Sequence, residues 1–169
     1  MPDWRQIREQ HGPLVWGTVY RILANHAEAL DCFQDVFTEV LERSSPERIH
    51  DWPAFLRWLA ARRALNRLRK RQTEACRHCT AVEIATLPAA SLGPVVQAEW
   101  NELFERVRQE VARLPAQQGE AFWLACIEQL SYAEIGRQME LDANTVGVLV
   151  HRARKRLRQV LADLNPVNH

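Results

Sequence analysis

Leu130-Ser131-Tyr132-Ala133-Glu134-Ile135-Gly136-Arg137-Gln138-Met139-Glu140-Leu141-Asp142-Ala143-Asn144-Thr145-Val146 reads as two short helices on either side of a tight turn. Ser131 and Glu134 have the spacing of a capping box, which starts the first helix. Asp142 is placed to cap the second, which runs on into His151-Arg152-Ala153-Arg154-Lys155-Arg156-Leu157-Arg158. A compact helix pair with a basic second helix has the shape and charge needed to enter a DNA major groove. Gly136 lies inside the first helix, where glycine ordinarily costs stability, so close approach of the recognition helix is expected there. Glu140 occupies the turn and is expected to be strained.

Outward from that stretch the helical period continues, and no convincing alternating strand is found. Asp3 is placed to cap a short first helix, and Pro13 to start a second with Leu14, Val19, Ile22 and Leu23 inward. Asn25 and Glu28 resemble a capping box for a third. There Leu30, Phe33, Phe37, Val40 and Leu41 are expected to be core, with Asp31, Gln34, Asp35 and Glu42 facing water. After Trp52-Pro53 comes a fourth helix, Ala54 to about Arg71, with Phe55, Leu56, Leu59, Leu65 and Leu68 burying. It is unusually basic. Thr73 to Pro94 is small, polar and broken by Pro88, Gly93 and Pro94, as a linker would be. Beyond it, Trp100, Leu103, Phe104, Val107, Val111 and Leu114 mark one helix. Phe122, Trp123, Cys126, Ile127 and Leu130 mark the next. The expected fold is all-α: two small helical domains, 1–72 and 95–169, joined by a flexible linker, 73–94, with the helix-turn-helix in the second.

Composition bounds the function. The 169 residues carry 22 Lys+Arg against 21 Asp+Glu, so any DNA affinity must come from local segregation of charge. Basic residues gather in Arg62 to Arg71 and Arg152 to Arg158, acidic ones between Asp31 and Glu47. No apolar run is long enough for a bilayer, and Met1-Pro2-Asp3-Trp4-Arg5 lacks a signal-peptide pattern, so the expected location is the cytoplasm without membrane insertion. No Gly-rich phosphate loop, paired ligand motif or nucleophile setting stands out, and neither enzymatic activity nor a cofactor is expected. Cys76-Arg77-His78-Cys79 has a metal-ligand spacing but no second pair, and is read as plain linker with no metal.

Three constellations carry the chemistry. Asp31, Gln34 and Asp35, at i, i+3 and i+4, share a helix face able to dock a basic helical surface. The basic fourth helix can neutralise phosphates, and the nearby aromatics Trp52 and Trp58 can stack on unstacked bases. On the recognition helix, Asn144, Gly147, Val148, His151 and Arg152 are expected to face the groove. Thr145, Arg154, Lys155 and Arg156 are better placed for phosphates.

Taken together, the chain resembles bacterial RNA polymerase sigma factors of the extracytoplasmic-function (ECF) class within the sigma-70 family. The resemblance rests on Asp31-Cys32-Phe33-Gln34-Asp35-Val36-Phe37, on Phe55 to Arg71, on Leu114-Pro115-Ala116-Gln117-Gln118, and on the helix-turn-helix with its basic extension. It implies that Asp31, Gln34 and Asp35 bind the beta-prime clamp helices of bacterial core polymerase, with the beta flap as a further contact. It also implies that the first domain recognises and melts the minus-ten element, through Trp52, Trp58, Arg62, Asn66, Arg67, Arg69 and Lys70. The second domain then recognises the minus-thirty-five element of promoter DNA. Members often pair with an anti-sigma factor. Two departures stand out: Arg62 where many relatives carry Asn, and Gly147, Val148 and Leu149 where basic or hydroxyl residues are usual. A free-standing helix-turn-helix regulator is the competing reading.

Overall fold

The computed structural model describes residues 3–43, 48–76 and 94–162, and among them every regular element is a helix. The chain divides into two compact units, Met1–Ala85 and Thr86–His169.

The first unit has three helices: α1 (Trp4–Leu23), α2 (His26–Glu42) and α3 (Trp52–Ala75). Each begins on a side-chain cap. The Asp3 carboxylate accepts from the Arg5 and Gln6 amides, Asn25 Oδ1 from Glu28 at 3.0 Å, and Asp51 Oδ1 from Ala54 at 3.0 Å. These caps satisfy amides that have no partner within the helix. α3 supplies the largest share of the core, with Phe55, Leu56, Leu59, Leu65 and Leu68 buried as expected.

Two expectations fail here. Pro13 does not start a helix but lies within α1, on its exposed side. An interior proline costs about 3 kcal/mol. Val15, Val19, Ile22 and Leu23 are all buried on the opposite side, and each contributes roughly 1.5–3 kcal/mol, so their burial outweighs the break. The inward face of α2 is also not the one that bulk suggested. Ala29, Cys32, Val36 and Val40 are buried, whereas Leu30 and Leu41 are 43% and 56% exposed and Phe33 and Phe37 are half-buried. Small residues at i, i+3, i+7 and i+11 let α2 pack closely, which turns the bulky stripe outward. Burial pushes the Cys32 thiol up to about 11, leaving it protonated and unreactive at neutral pH.

In the second unit, α4 (Pro94–Arg113) leads to α5 (Ala116–Phe122), which continues as a π-helical turn, Trp123–Ile127. α6 (Tyr132–Met139) and α7 (Ala143–Ala162) follow. Trp123, Leu124, Ile135, Val146 and Val150 are fully buried and form the core with Val111 and Ala121. Trp100 and Leu103, expected inside, are 56% and 44% exposed. The α4 stripe buries only from its Val111 end.

Candidate functional site

α6, the turn and α7 form the helix-turn-helix. The capping box is complete: the Glu134 amide donates to Ser131 Oγ at 3.2 Å, and the Ser131 amide to Glu134 Oε2 at 2.7 Å. A Cβ on Gly136 would stand 2.5 Å from the Leu141 carbonyl oxygen, so glycine is required by the backbone of the turn rather than by the recognition helix itself. Glu140 closes α6 with φ 59°, in the left-handed region. Glycine there avoids a Cβ clash of about 1–2 kcal/mol but loses more chain entropy, about 0.5–1 kcal/mol. Glu140→Gly should therefore stabilise the full chain by about 0.5–1 kcal/mol in urea melts.

Asp142 caps α7, accepting from the Thr145 amide and the Thr145 hydroxyl, both at 2.8 Å. These hydrogen bonds hold its carboxyl below the usual carboxylate range. The Thr145 hydroxyl proton is thus committed inside the unit. Val146, Val150, Ala153 and Leu157 turn inward, leaving Asn144, Val148, His151, Arg152 and Lys155 exposed along the other side. Gly147 is covered by the Tyr132 ring, 3.3 Å from where a Cβ would be. Arg154 reaches back, with Nη2 3.3 Å from Cys126 Sγ on the π-helical turn. Arg152, Lys155 and Arg156 share an open hollow of about 480 Å³ with Arg113 and Gln118.

In the first unit, α2 and α3 are joined by a ladder of ion pairs. Arg71 Nη1 meets Glu28 Oε2 at 2.7 Å, Arg67 pairs with Asp35, and Arg63 Nε donates to Glu39 Oε2 at 2.7 Å. Arg43 adds a second contact to Glu39 at 3.2 Å. Burial favours protonated Glu39, but the hydrogen bonds from Arg63 and Arg43 outweigh it and hold its pKa below the ordinary value. A lowered carboxyl pKa stabilises the fold above the unfolded pKa, and the contribution fades as pH falls through the folded one. Glu39→Gln should therefore lose less stability than the parent chain as pH falls below the ordinary glutamate range, measured by urea melts.

The ladder lines a groove of about 790 Å³ together with Arg62, Asn66, Arg69 and Lys70. Asn66 Oδ1 accepts from Arg69 Nη1 at 2.7 Å. Arg62 lies 5.4 Å from the centroid of Trp58, and Arg43 lies 4.9 Å from that of Phe55. Trp58 is buried, and its Nε1 has no hydrogen-bond partner among the described residues. Trp52 is half-buried at the head of α3, edge-on to Trp4 at 6.1 Å and to Phe55 at 6.2 Å.

On α2, Asp31 and Gln34 are exposed, while Asp35 is partly exposed but already paired with Arg67. Around them stand Leu30, Phe33, Phe37 and Leu41. Phe33, Gln34, Phe37 and Leu41 line a shallow hollow of about 360 Å³ with Arg8 and Thr38.

Family models match both units. The sigma-70 region 2 model matches residues 7–74, and the sigma-70 region 4 model matches residues 104–157, together well over half the chain. The chain belongs to the sigma-70 family, in its ECF class. It is 27% identical over 165 residues to the ECF RNA polymerase sigma factor SigE of Mycolicibacterium smegmatis, covering 96% of this chain and 63% of that one. To the ECF RNA polymerase sigma factor SigW of Bacillus subtilis it is 25% identical over 160 residues, covering 89% and 84%. To the RNA polymerase sigma factor CarQ of Myxococcus xanthus it is 29% identical over 161 residues, covering 92% and 87%. The fold is similar to that of the sigma factor RpoE solved with the anti-sigma factor NepR from Bartonella quintana, with TM-score 0.62, 21% identity and full coverage of both chains. It is also similar to Mycobacterium tuberculosis SigJ, with TM-score 0.51 and 19% identity over 90% of this chain and 51% of that one.

In this sigma factor, region 2 takes in α1 to α3, and region 4 takes in the helix-turn-helix with α5 and the second half of α4. The structure gathers Arg62, Asn66, Arg67, Arg69 and Lys70 along one groove, and it ties Arg67 to Asp35 across it. Trp58 is an exception among the expected base contacts, because its ring is packed inside. Residues not singled out from sequence are the outward Leu30, Phe33, Phe37 and Leu41, which were assigned to the core, and Arg113 and Gln118 beside the recognition helix. The former could have been found from the small-residue stripe running alongside them. Of the Cys76–Cys79 segment only Cys76, an exposed free thiol, is among the described residues. No group of metal-ligating side chains occurs among the described residues, and none of the helices there is long and apolar enough to cross a membrane.

Proposed function

We propose that this sigma factor docks on core RNA polymerase through α2 and reads promoter DNA with α3 and α7. The single observation that supports this most is the outer face of α2, where exposed leucines and half-buried phenylalanines surround Asp31 and Gln34. An apolar patch with a polar rim is the composition of a protein interface. The occupant is the beta-prime clamp helices, whose basic groups would meet Asp31, Gln34 and Asp35. The beta flap is the second contact on polymerase, through region 4.

The groove carrying Arg62, Asn66, Arg69 and Lys70 tracks the minus-ten strand, with Trp52 beside the melted bases. Arg67 joins them once it leaves Asp35. Asn144, Val148, His151 and Arg152 face the minus-thirty-five element, with Gly147 beneath the Tyr132 ring and Thr145 holding the Asp142 cap, and Lys155 and Arg154 lie along its phosphates. The sigma factor performs no covalent chemistry itself and acts in the cytoplasm with polymerase. A relative in fold was solved with an anti-sigma factor. A partner of that kind would act here by covering the α2 stripe or the recognition helix.

A gel-shift experiment tests the reading. Promoter-containing DNA should be bound specifically by this chain with core polymerase and not by the chain alone. Specific binding without core would instead mark a free-standing regulator.

A further inference from the structure

Val148 lies in the middle of the outward row of α7, one turn after Asn144 and one turn before His151 and Arg152. Its neighbours in that row are polar or cationic, yet Val148 is 47% exposed. Beside it the chain is bare at Gly147, and the 39%-exposed Tyr132 ring lies across that gap, 3.3 Å from where a Cβ would be. The ring over Gly147 and the two methyls of Val148 thus put apolar surface at successive positions of a cationic face. The cations mark the occupant as nucleic acid rather than protein. In the major groove each base edge presents hydrogen-bonding groups, and the apolar one is the C5-methyl of thymine.

We propose that Val148, supported by the Tyr132 ring over Gly147, reads a thymine methyl in the upstream promoter element. This rests on the promoter-reading function above. It goes further by naming the chemical group recognised and the residue that selects it. Neither Asn144 nor Arg152 can supply this preference, because each pairs with hydrogen-bonding edges.

The test uses holoenzyme assembled from core polymerase and the full chain. A promoter library randomised over the upstream element is selected for binding, and each selected thymine is then replaced by deoxyuridine, which removes only the methyl. At one position the replacement should lower affinity about three- to tenfold, the effect of burying one methyl group or two. With Val148→Ala holoenzyme the same replacement should have almost no effect, and Val148→Thr should give an intermediate loss. Val148 is exposed, so these variants are expected to keep the fold. Selection of a sequence lacking any methyl-sensitive thymine would overturn the inference while leaving promoter reading intact. An undiminished deoxyuridine penalty in Val148→Ala would do the same. Weakened core binding with unchanged base preference would assign the patch to polymerase and also overturn it. Recovery of no sequence at all would overturn both readings.

Discussion

Gly136→Leu is expected to destabilise this sigma factor by at least about 3 kcal/mol and to abolish the fold of its helix-turn-helix. A Cβ at Gly136 would meet the Leu141 carbonyl oxygen at 2.5 Å. That oxygen belongs to the turn, whose Leu141 amide donates back to the Gly136 carbonyl at 2.9 Å. No flexible side chain can move aside, so the turn must open and the angle between α6 and α7 is lost. Gly17 is the internal control. The nearest atoms to a Cβ there are those of the Arg21 guanidinium, at 3.6 Å and beyond. Gly17→Ala should stabilise the chain by about 0.5–1 kcal/mol, the ordinary gain of replacing a helical glycine. Urea melts of both variants check the contrast. Near-parental stability in Gly136→Leu would mean the turn is not packed as described.

Leu30→Glu combined with Leu41→Arg should lower affinity for core polymerase by about 30-fold or more, while changing stability little. Leu30 is 43% and Leu41 56% exposed, so the fold buries only about half of each. An apolar anchor buried at an interface is worth about 2 kcal/mol or more, which corresponds to that ratio. The effect should exceed that of replacing Asp35, whose carboxylate is shared with Arg67. Asp35→Arg would also set two cations against each other within the unit, so its loss of core binding would mix docking with stability. Titration of labelled variant against core polymerase reads the affinity, and thermal melts read the fold. Unchanged affinity in the double variant would remove α2 as the docking helix.

The helix-turn-helix was legible in sequence because each part is fixed locally. Ser131 and Glu134 specify a start, Gly136 a close approach, and Asp142 a second start. The capping of α1 and α2 by Asp3 and Asn25 was legible for the same reason. The face of α2 was not, because hydrophobic bulk alone does not say which of two apolar stripes goes inward. Leu30, Phe33, Phe37 and Leu41 outweigh Ala29, Cys32, Val36 and Val40 in bulk, but the smaller set lets the helices approach. Pro13 was misread because a local rule met a tertiary gain several times larger. The ladder between α2 and α3 could not be read locally, since its partners lie 24, 32 and 43 residues apart. It also joins Asp35, read as a docking residue, to Arg67, read as a DNA contact. Trp100 and Leu103 followed the period of a buried stripe but lie on the part of α4 that its own unit leaves open.

The most direct measurement of the central claim is run-off transcription with purified core polymerase on a promoter selected by the holoenzyme. The account predicts a discrete transcript that requires this chain and is lost with the Leu30→Glu, Leu41→Arg variant. Equal transcription without the chain, or an undiminished transcript from the variant, would contradict it.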